Sequence, residues 1–146
     1  MAELSVDQLH AMCEQVCRLH SDDVGVVAAA LDLPGPVVDD SPDIAVLASP
    51  PPFARRLVLA RWRNAFTDLT IELAGRGPSL AELERRFGPG VSVPMPHHGS
   101  AYRFRYDVAV AEAPWSCALF ASFEDQDFLP YGGSTSTELT LRRDQV

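Results

Sequence analysis

The sequence predicts an α+β domain in which an antiparallel β-sheet of about five strands carries two N-terminal helices and one short inserted helix packed on one face. Two observations support this fold class: apolar residues recur at helical spacing near the N terminus, and they alternate with a period of two after residue 55. In addition, the strand-like segments follow one another at hairpin distance, which favours antiparallel pairing. The chain has 146 residues, close to the commonest domain size, so a single domain over 1–146 is expected.

Residues 1–33 are expected to form an acidic helical part. The first helix is predicted over residues 4–20, because its apolar side chains fall on one side of the helix and its charged side chains on the other. Residues 21–23, Ser-Asp-Asp, then supply an N-cap for a second helix that runs to about Leu33. The Pro-Gly-Pro run that follows ends this helix, since proline has no N–H to continue it.

Residues 34–54 form a proline-rich connection, which holds six of the twelve prolines in the chain. Proline favours a stiff, extended backbone, so the segment is expected to be a spacer with one short strand at Ile44–Leu47. We assign no chemistry to it.

Residues 55–146 are expected to form the sheet and its one helix. The alternating segments RRLVLARW and FTDLTIELA indicate a hairpin, joined by the short turn Arg63-Asn64-Ala65. Ser79 and Glu82 have the spacing of a capping box at the start of the inserted helix. No internal repeat is apparent, and three further strands are predicted in AYRFRYDVAV, in WSCALFASF and over residues 136–143.

Charged side chains are predicted on the outer face of the sheet. Arg103 and Arg105 alternate with aromatic residues, so they should point away from the core, towards Asp68, Glu72 and Glu138 on neighbouring strands. Both arginines are therefore candidate binding residues.

The composition excludes several classes of function. All 12 basic residues are arginines, so enzymes that need a lysine for a Schiff base or a phosphate-binding loop are excluded. The lack of lysine, with abundant alanine, glycine and proline, indicates a GC-rich bacterial genome. Residues 1–50 hold nine acidic residues against Arg18 alone, which accounts for the net charge of −8. Nucleic acid is excluded as a partner, because binding it depends largely on phosphate neutralisation.

The cysteines and the apolar runs predict a cytoplasmic location. Three cysteines are an odd number without a disulfide spacing, which favours a reducing compartment. The N-terminal residues lack the pattern of a signal peptide, and no apolar run approaches the ~18 residues of a membrane span. A membrane is therefore not expected as a partner.

A metal site is considered in the segment HAMCEQVCRLH, where His10, Cys13, Cys17 and His20 share one side of the first helix. The two histidines lie about 15 Å apart along the helix axis, so the four side chains cannot converge on one ion. We expect the thiols to be small buried apolar groups and predict neither a metal nor a cofactor. A partial site of two of these residues, completed from elsewhere, stays open.

Two loops contain further candidates. In VPMPHHGSAY, His97 or His98 could serve as a general acid or base, with Tyr102, Asp107 or Arg103 orienting a substrate. The second loop, EDQDFLPYGGSTS, carries large apolar residues that are either tucked beneath it or exposed for a partner. These residues are Phe128, Leu129 and Tyr131.

The sequence favours a small cytoplasmic protein without catalysis, an accessory or inhibitor-type factor that binds a protein or peptide. Its candidate binding residues are Asp22 and Asp23, which suit a basic partner, together with Arg103, Arg105 and the apolar loop. The alternative is a small cofactor-free enzyme, a cyclase, isomerase or hydrolase, with a loop histidine in a sheet-lined pocket. The strand–helix–three-strand part resembles small bacterial inhibitor and lipoprotein domains and also cone-shaped cyclase folds, without a motif that selects either. The partner and the oligomeric state, including a homodimer, are left open.

Overall fold

The computed structural model describes residues 3–33, 36–93, 102–123 and 129–145, which form three helices and eight strands. The helices are α1 (Val6–Arg18), α2 (Val24–Ala30) and α3 (Leu80–Phe87). The strands are β1 (Val37–Ser41), β2 (Ile44–Leu47), β3 (Ala54–Trp62), β4 (Ala65–Leu73), β5 (Val91–Val93), β6 (Tyr102–Val108), β7 (Trp115–Phe123) and β8 (Glu138–Gln145). No helix in these ranges is both long and apolar enough to cross a membrane.

The prediction of about five strands is wrong, because all eight strands join one antiparallel sheet in the order β1-β2-β3-β4-β8-β7-β6-β5. The sequence analysis missed β1 and β5, which form the two edges of the sheet. Four of the five residues of β1 are exposed, and β5 is only three residues long. An edge strand needs no continuous apolar face, so neither segment shows the alternation by which strands are recognised.

The sheet consists of two four-stranded meanders that join through their last strands, β4 and β8. Thr70 lies opposite Thr140 in this pair, and their hydroxyl oxygens are 3.0 Å apart. The register relates the segments TDLTIE (67–72) and TELTLR (137–142) by a local two-fold axis between these threonines. The similarity covers only these six residues of the two paired strands.

The helices cover one face of the sheet and form the core with it. α1 contacts β7, β8 and α3, while α3 contacts β6. The predicted alternation in β4 and β8 is confirmed, because their inward leucines and isoleucine are at most 7% exposed. The aromatic side of β6 is filled as well: Tyr106 is fully buried, and its ring centroid lies 6.2 Å from that of Phe87. Both predicted N-terminal helices exist, but they are shorter, ending at Arg18 and Ala30.

A disulfide joins Cys17 of α1 to Cys117 of β7, and Cys13 is a buried free thiol. Burial raises the pKa of Cys13 to about 12, so this thiol stays protonated and unreactive. Two of the three cysteines therefore form a disulfide and one is free. The odd number of cysteines no longer favours a reducing compartment. Sequence spacing gave no indication of the pair, because 100 residues separate its members.

Reduction of the Cys17–Cys117 bond is expected to lower the free energy of unfolding by about 4 kcal/mol, since it frees a very long loop in the unfolded chain. Denaturant unfolding of oxidised and reduced protein measures this difference. Thiol titration of the unfolded, unreduced chain should find one thiol, and a Cys13→Ala control should find none while keeping the stability difference. Three titratable thiols would contradict the pairing.

Candidate functional site

The face of the sheet that points away from the helices, here called the open face, is not covered by any helix of the described ranges. Its centre is a row of neutral side chains on adjacent strands, Val58, Thr70, Thr140 and Phe120. Each of these side chains is half-buried between its neighbours on the sheet. The centre of the open face is therefore apolar to weakly polar and without formal charge.

Charged side chains surround this row, and Asp144 lies further along the same side of β8. Four arginines and four other acidic residues belong to the described set. They are Arg56, Arg103, Arg105, Arg142, Asp68, Glu72, Asp107 and Glu138. The ion pairs among them are long, as expected for exposed groups: Arg56 lies 3.7 Å from Glu72, and Arg105 lies 3.7 Å from Asp107. The predicted cross-strand pairing is corrected here for Arg105, whose ion pair is with a residue of its own strand.

Phe120 is the aromatic residue of the open face. The guanidinium carbon of Arg103 lies 4.4 Å from its ring centroid, and that of Arg105 lies 5.9 Å away. Both predicted binding arginines therefore meet at one half-buried ring, an arrangement in which cation and ring attract each other. Phe120 stood out in the sequence as the one large residue at an outward position of β7, but it was not predicted as a binding residue.

Asp68 is the least solvated acid of this face. Its pKa is raised, mainly because burial disfavours the carboxylate, while the Thr67 hydrogen bond and the charges of Arg142 and Arg103 act in the opposite direction. Thr67 donates that hydrogen bond over 3.2 Å. The carboxylate is therefore a cost to folding at neutral pH.

A second surface feature lies at the end of the sheet, where the α1–α2 link, the β3–β4 turn, the start of β7 and the end of β8 meet. It is a hollow of about 200 Å³, called the tryptophan pocket because it contains both tryptophans of the chain. Its lining residues are Asp22, Trp62, Ala65, Phe66, Thr67, Trp115, Arg143 and Asp144. Trp62 is 65% exposed, which is unusual for so large an apolar side chain.

Arg143 forms the floor of the tryptophan pocket and is only 3% exposed. It donates hydrogen bonds to the carbonyl oxygens of Val16 (3.1 Å), Leu19 (3.4 Å) and Ser21 (2.7 Å) at the end of α1. Its guanidinium carbon also lies 4.0 Å from the ring centroid of Trp115. Burial lowers the pKa of Arg143 to about 10, and the charge of Asp22 acts in the opposite direction. The group remains cationic at neutral pH.

The predicted binding residues Asp22 and Asp23 have different positions. Asp22 lines the tryptophan pocket, and its backbone carbonyl accepts a hydrogen bond from the Phe66 N–H over 2.7 Å. Asp23 is the N-cap of α2, where its side chain accepts from the Val26 N–H over 3.1 Å. Asp23 therefore has a structural role that explains its presence without a partner.

The residues of the enzyme alternative are not brought together where they are described. Tyr102 lies on the helix-covered face of β6, whereas Asp107 lies on the open face with its side chain 92% exposed. His97 and His98 lie outside the described residues. Tyr102 and Asp107 therefore lie on opposite faces of the sheet.

The apolar loop is partly described, with Phe128 outside the described residues. Leu129 is 68% exposed and Tyr131 is 60% exposed, so these two residues are not tucked beneath the loop. The loop itself is anchored, because the carbonyls of Ser134 and Gly132 accept hydrogen bonds from the first N–H groups of α3.

The residues considered for a metal site also separate. Cys17 is bonded to Cys117, while His10 lies beside Glu14, with 2.9 Å between Nδ1 and the carboxylate. Over the described ranges, no three histidine, cysteine or acidic side chains are close enough to hold an ion.

Another hollow, of about 260 Å³, lies between α1, the end of α2 and Phe53. Its lining is mostly apolar, with Gln8, Gln15 and Asp32 as its polar side chains.

Comparison with protein-family models, with curated proteins and with solved structures finds no match to this chain. The functions of the open face and the tryptophan pocket are therefore inferred from their own geometry and charge.

Substitution of Arg143 by lysine is expected to destabilise the fold by about 3 kcal/mol, because an ammonium cannot bind the three carbonyls and stack on Trp115 together. Denaturant unfolding measures this loss. Arg142→Lys is the matched control, since its side chain is 57% exposed and its loss should stay within about 0.5 kcal/mol. Equal losses in the two variants would contradict the structural role of Arg143.

Asp68→Asn is expected to raise the melting temperature at about pH 7, because it removes a carboxylate whose charged form is disfavoured in the folded state. A raised pKa means that the folded state binds the proton more tightly than the unfolded state. The stabilisation of the wild-type fold by this bound proton is complete at pH values below the pKa of Asp68 in the unfolded chain. It is lost as the pH rises through the pKa of Asp68 in the folded chain. The advantage of the variant should therefore shrink towards pH 3.8, the ordinary pKa of the group.

Thermal unfolding at several pH values measures the effect of Asp68→Asn. The exposed Asp107→Asn is the control and should show no such trend. A gain of equal size at every pH would contradict the assignment.

Proposed function

We propose that this chain is a non-catalytic binding protein, an accessory or inhibitor-type factor whose partner is a basic protein or peptide. The observation that supports it best is the open face, which combines a neutral centre around Phe120 with a ring of charged side chains. Protein interfaces have this composition, with a core depleted of charge and a polar rim. Aromatic and arginine side chains, here Phe120 and Arg103, are also the residues that most often carry the binding energy.

The preference for a basic partner comes from the charge of the chain as a whole. The described part of the open face carries nearly equal numbers of arginines and acidic residues, but the net charge of the chain is −8, and the excess of acids lies in residues 1–50. Asp22 is one of these acids and lies at the end of the sheet. Such a field accelerates the encounter with a basic partner more than it strengthens the final complex.

A cytoplasmic location stays a prediction, and the Cys17–Cys117 bond offers a direct test of it. Reducing compartments keep thiols reduced, so alkylation of host cells under denaturing conditions, which expose the buried Cys13, should label all three cysteines if the protein is cytoplasmic. Labelling of one cysteine would place the chain in an oxidising compartment.

Capture from the native host with the wild-type chain and with Phe120→Glu tests the binding function. We expect a basic protein that is enriched by the wild-type chain and lost at least about tenfold with Phe120→Glu, because the variant places a charge at the interface core. Ala29→Glu, an exposed change on α2, is the control and should keep the partner.

The captured protein is then purified and its association rate is measured at low and high salt. The rate should fall as salt rises, as expected for opposite charges. Equal retention by Phe120→Glu, with the variant folded by circular dichroism, would contradict the use of the open face. A rate that is independent of salt would contradict the basic partner.

A further inference from the structure

We infer that the tryptophan pocket is a subsite for one basic side chain of the partner, an arginine or a lysine. This inference rests on the proposed function and gives it a specific contact. It commits the pocket to a cationic side chain and not to a cofactor or an anion.

The size of the pocket suits one side chain. Its volume of about 200 Å³ is below the range of roughly 300–1,000 Å³ that is usual for pockets that hold complete small-molecule ligands. It is also open at the surface on the side of Trp62, which is 65% exposed. A side chain that projects from a partner can therefore enter it without a change in the fold.

The Trp115 ring is fixed by a hydrogen bond, and a tight turn sets the backbone next to Trp62. Trp62 precedes a tight turn in which Arg63 and Asn64 both have positive φ, 52° and 66°, the conformation typical of two-residue hairpins. The indole N–H of Trp115 donates to the Leu19 carbonyl over 2.7 Å, which fixes that ring. Preorganised rings are suited to binding, because little side-chain freedom is lost when a ligand arrives.

The pocket already shows that its aromatic side chains accept a guanidinium. The Arg143 guanidinium carbon lies 4.0 Å from the centroid of Trp115 and 4.9 Å from that of Phe66. The guanidinium of Arg63 also lies over Trp62, at 5.7 Å from the centroid. An arginine or lysine from a partner would use the exposed indole of Trp62 in the same way.

The formal charges of the lining favour a cation over an anion. The lining contains the carboxylates of Asp22 and Asp144 and the guanidinium of Arg143, which together give one net negative charge. The guanidinium is engaged with three carbonyl oxygens below the pocket, and the Asp22 carboxylate, whose charge acts on it, forms no salt bridge with it in the described part of the chain. The pair of Asp144 with Arg142 is more than half exposed on both sides, so an incoming cation can replace it at little cost.

The pocket is continuous with the open face. Asp144 is the last outward residue of β8 whose side chain is described, and it lies opposite Ser116 at the end of β7. The same side chain lines the pocket. A partner on the open face can therefore place a basic side chain in the pocket at the end of the sheet.

Intrinsic fluorescence measures occupancy directly, because both tryptophans of the chain line this pocket. The probes are three blocked tripeptides, Gly-Arg-Gly, Gly-Lys-Gly and Gly-citrulline-Gly, in which citrulline is the neutral isostere of arginine. We expect saturable fluorescence changes with the arginine and lysine peptides, at least about fivefold weaker binding of the citrulline peptide, and weakening by salt.

Two variants localise the binding. Asp22→Asn should weaken the arginine peptide about three- to tenfold, because it removes a carboxylate at the pocket. Asp32→Asn makes the same change at an exposed position outside the pocket, where asparagine tolerates the positive φ of 56°, and should bind like the wild-type chain. Circular dichroism verifies that both variants are folded.

The inference is overturned if the basic peptides produce no saturable change, if citrulline binds as well as arginine, or if Asp32→Asn weakens binding as much as Asp22→Asn. Stronger binding of a Gly-Glu-Gly peptide would overturn it in favour of an anion at Arg143. These results are independent of capture through Phe120. If Phe120→Glu loses the partner but no basic tripeptide binds, this inference alone is overturned. If the basic tripeptides bind but Phe120→Glu keeps the partner, the open-face proposal alone is overturned.

Discussion

The buried guanidinium of Arg143 is the interaction on which the arrangement of helices and sheet depends. A helix leaves its last carbonyl groups without partners, and those at the end of α1 lie against the sheet, where water has little access. Arg143 supplies the missing donors from β8, and Trp115 adds one from β7. The Cys17–Cys117 bond fastens α1 to the sheet less than one turn before this end. Together these contacts determine where the α1–α2 link crosses the end of the sheet.

The tryptophan pocket is a consequence of this same junction. The rings of Trp115 and Phe66 lie against the Arg143 guanidinium. The backbone N–H of Phe66 donates a hydrogen bond to the Asp22 carbonyl. The contacts that stabilise the junction therefore also position a carboxylate and two indoles around one hollow. Binding at this place needs little rearrangement, since its components are already ordered by the fold.

The open face follows from the way in which the two meanders combine. Each meander contributes four strands, and the β4–β8 pair makes one sheet of eight, too wide to be covered on both faces by three short helices. The uncovered face carries threonines at the junction, charged residues around them and one aromatic ring. Asp68 is costly to fold in its charged form on this face, as its raised pKa indicates. The face therefore keeps a partly desolvated charge beside a neutral centre.

The sequence by itself determined the helices, the β3–β4 hairpin, the capping box of α3 and the inward side of each long strand, because periodicity and caps are local properties. It also placed Arg103 and Arg105 on the outer face. Only the tertiary structure decided the edge strands, the Cys17–Cys117 pair, and the meeting of Trp62 with Trp115, which stand far apart in the chain. These features arise from pairing between distant strands, and no short stretch of sequence contains the register that sets that pairing.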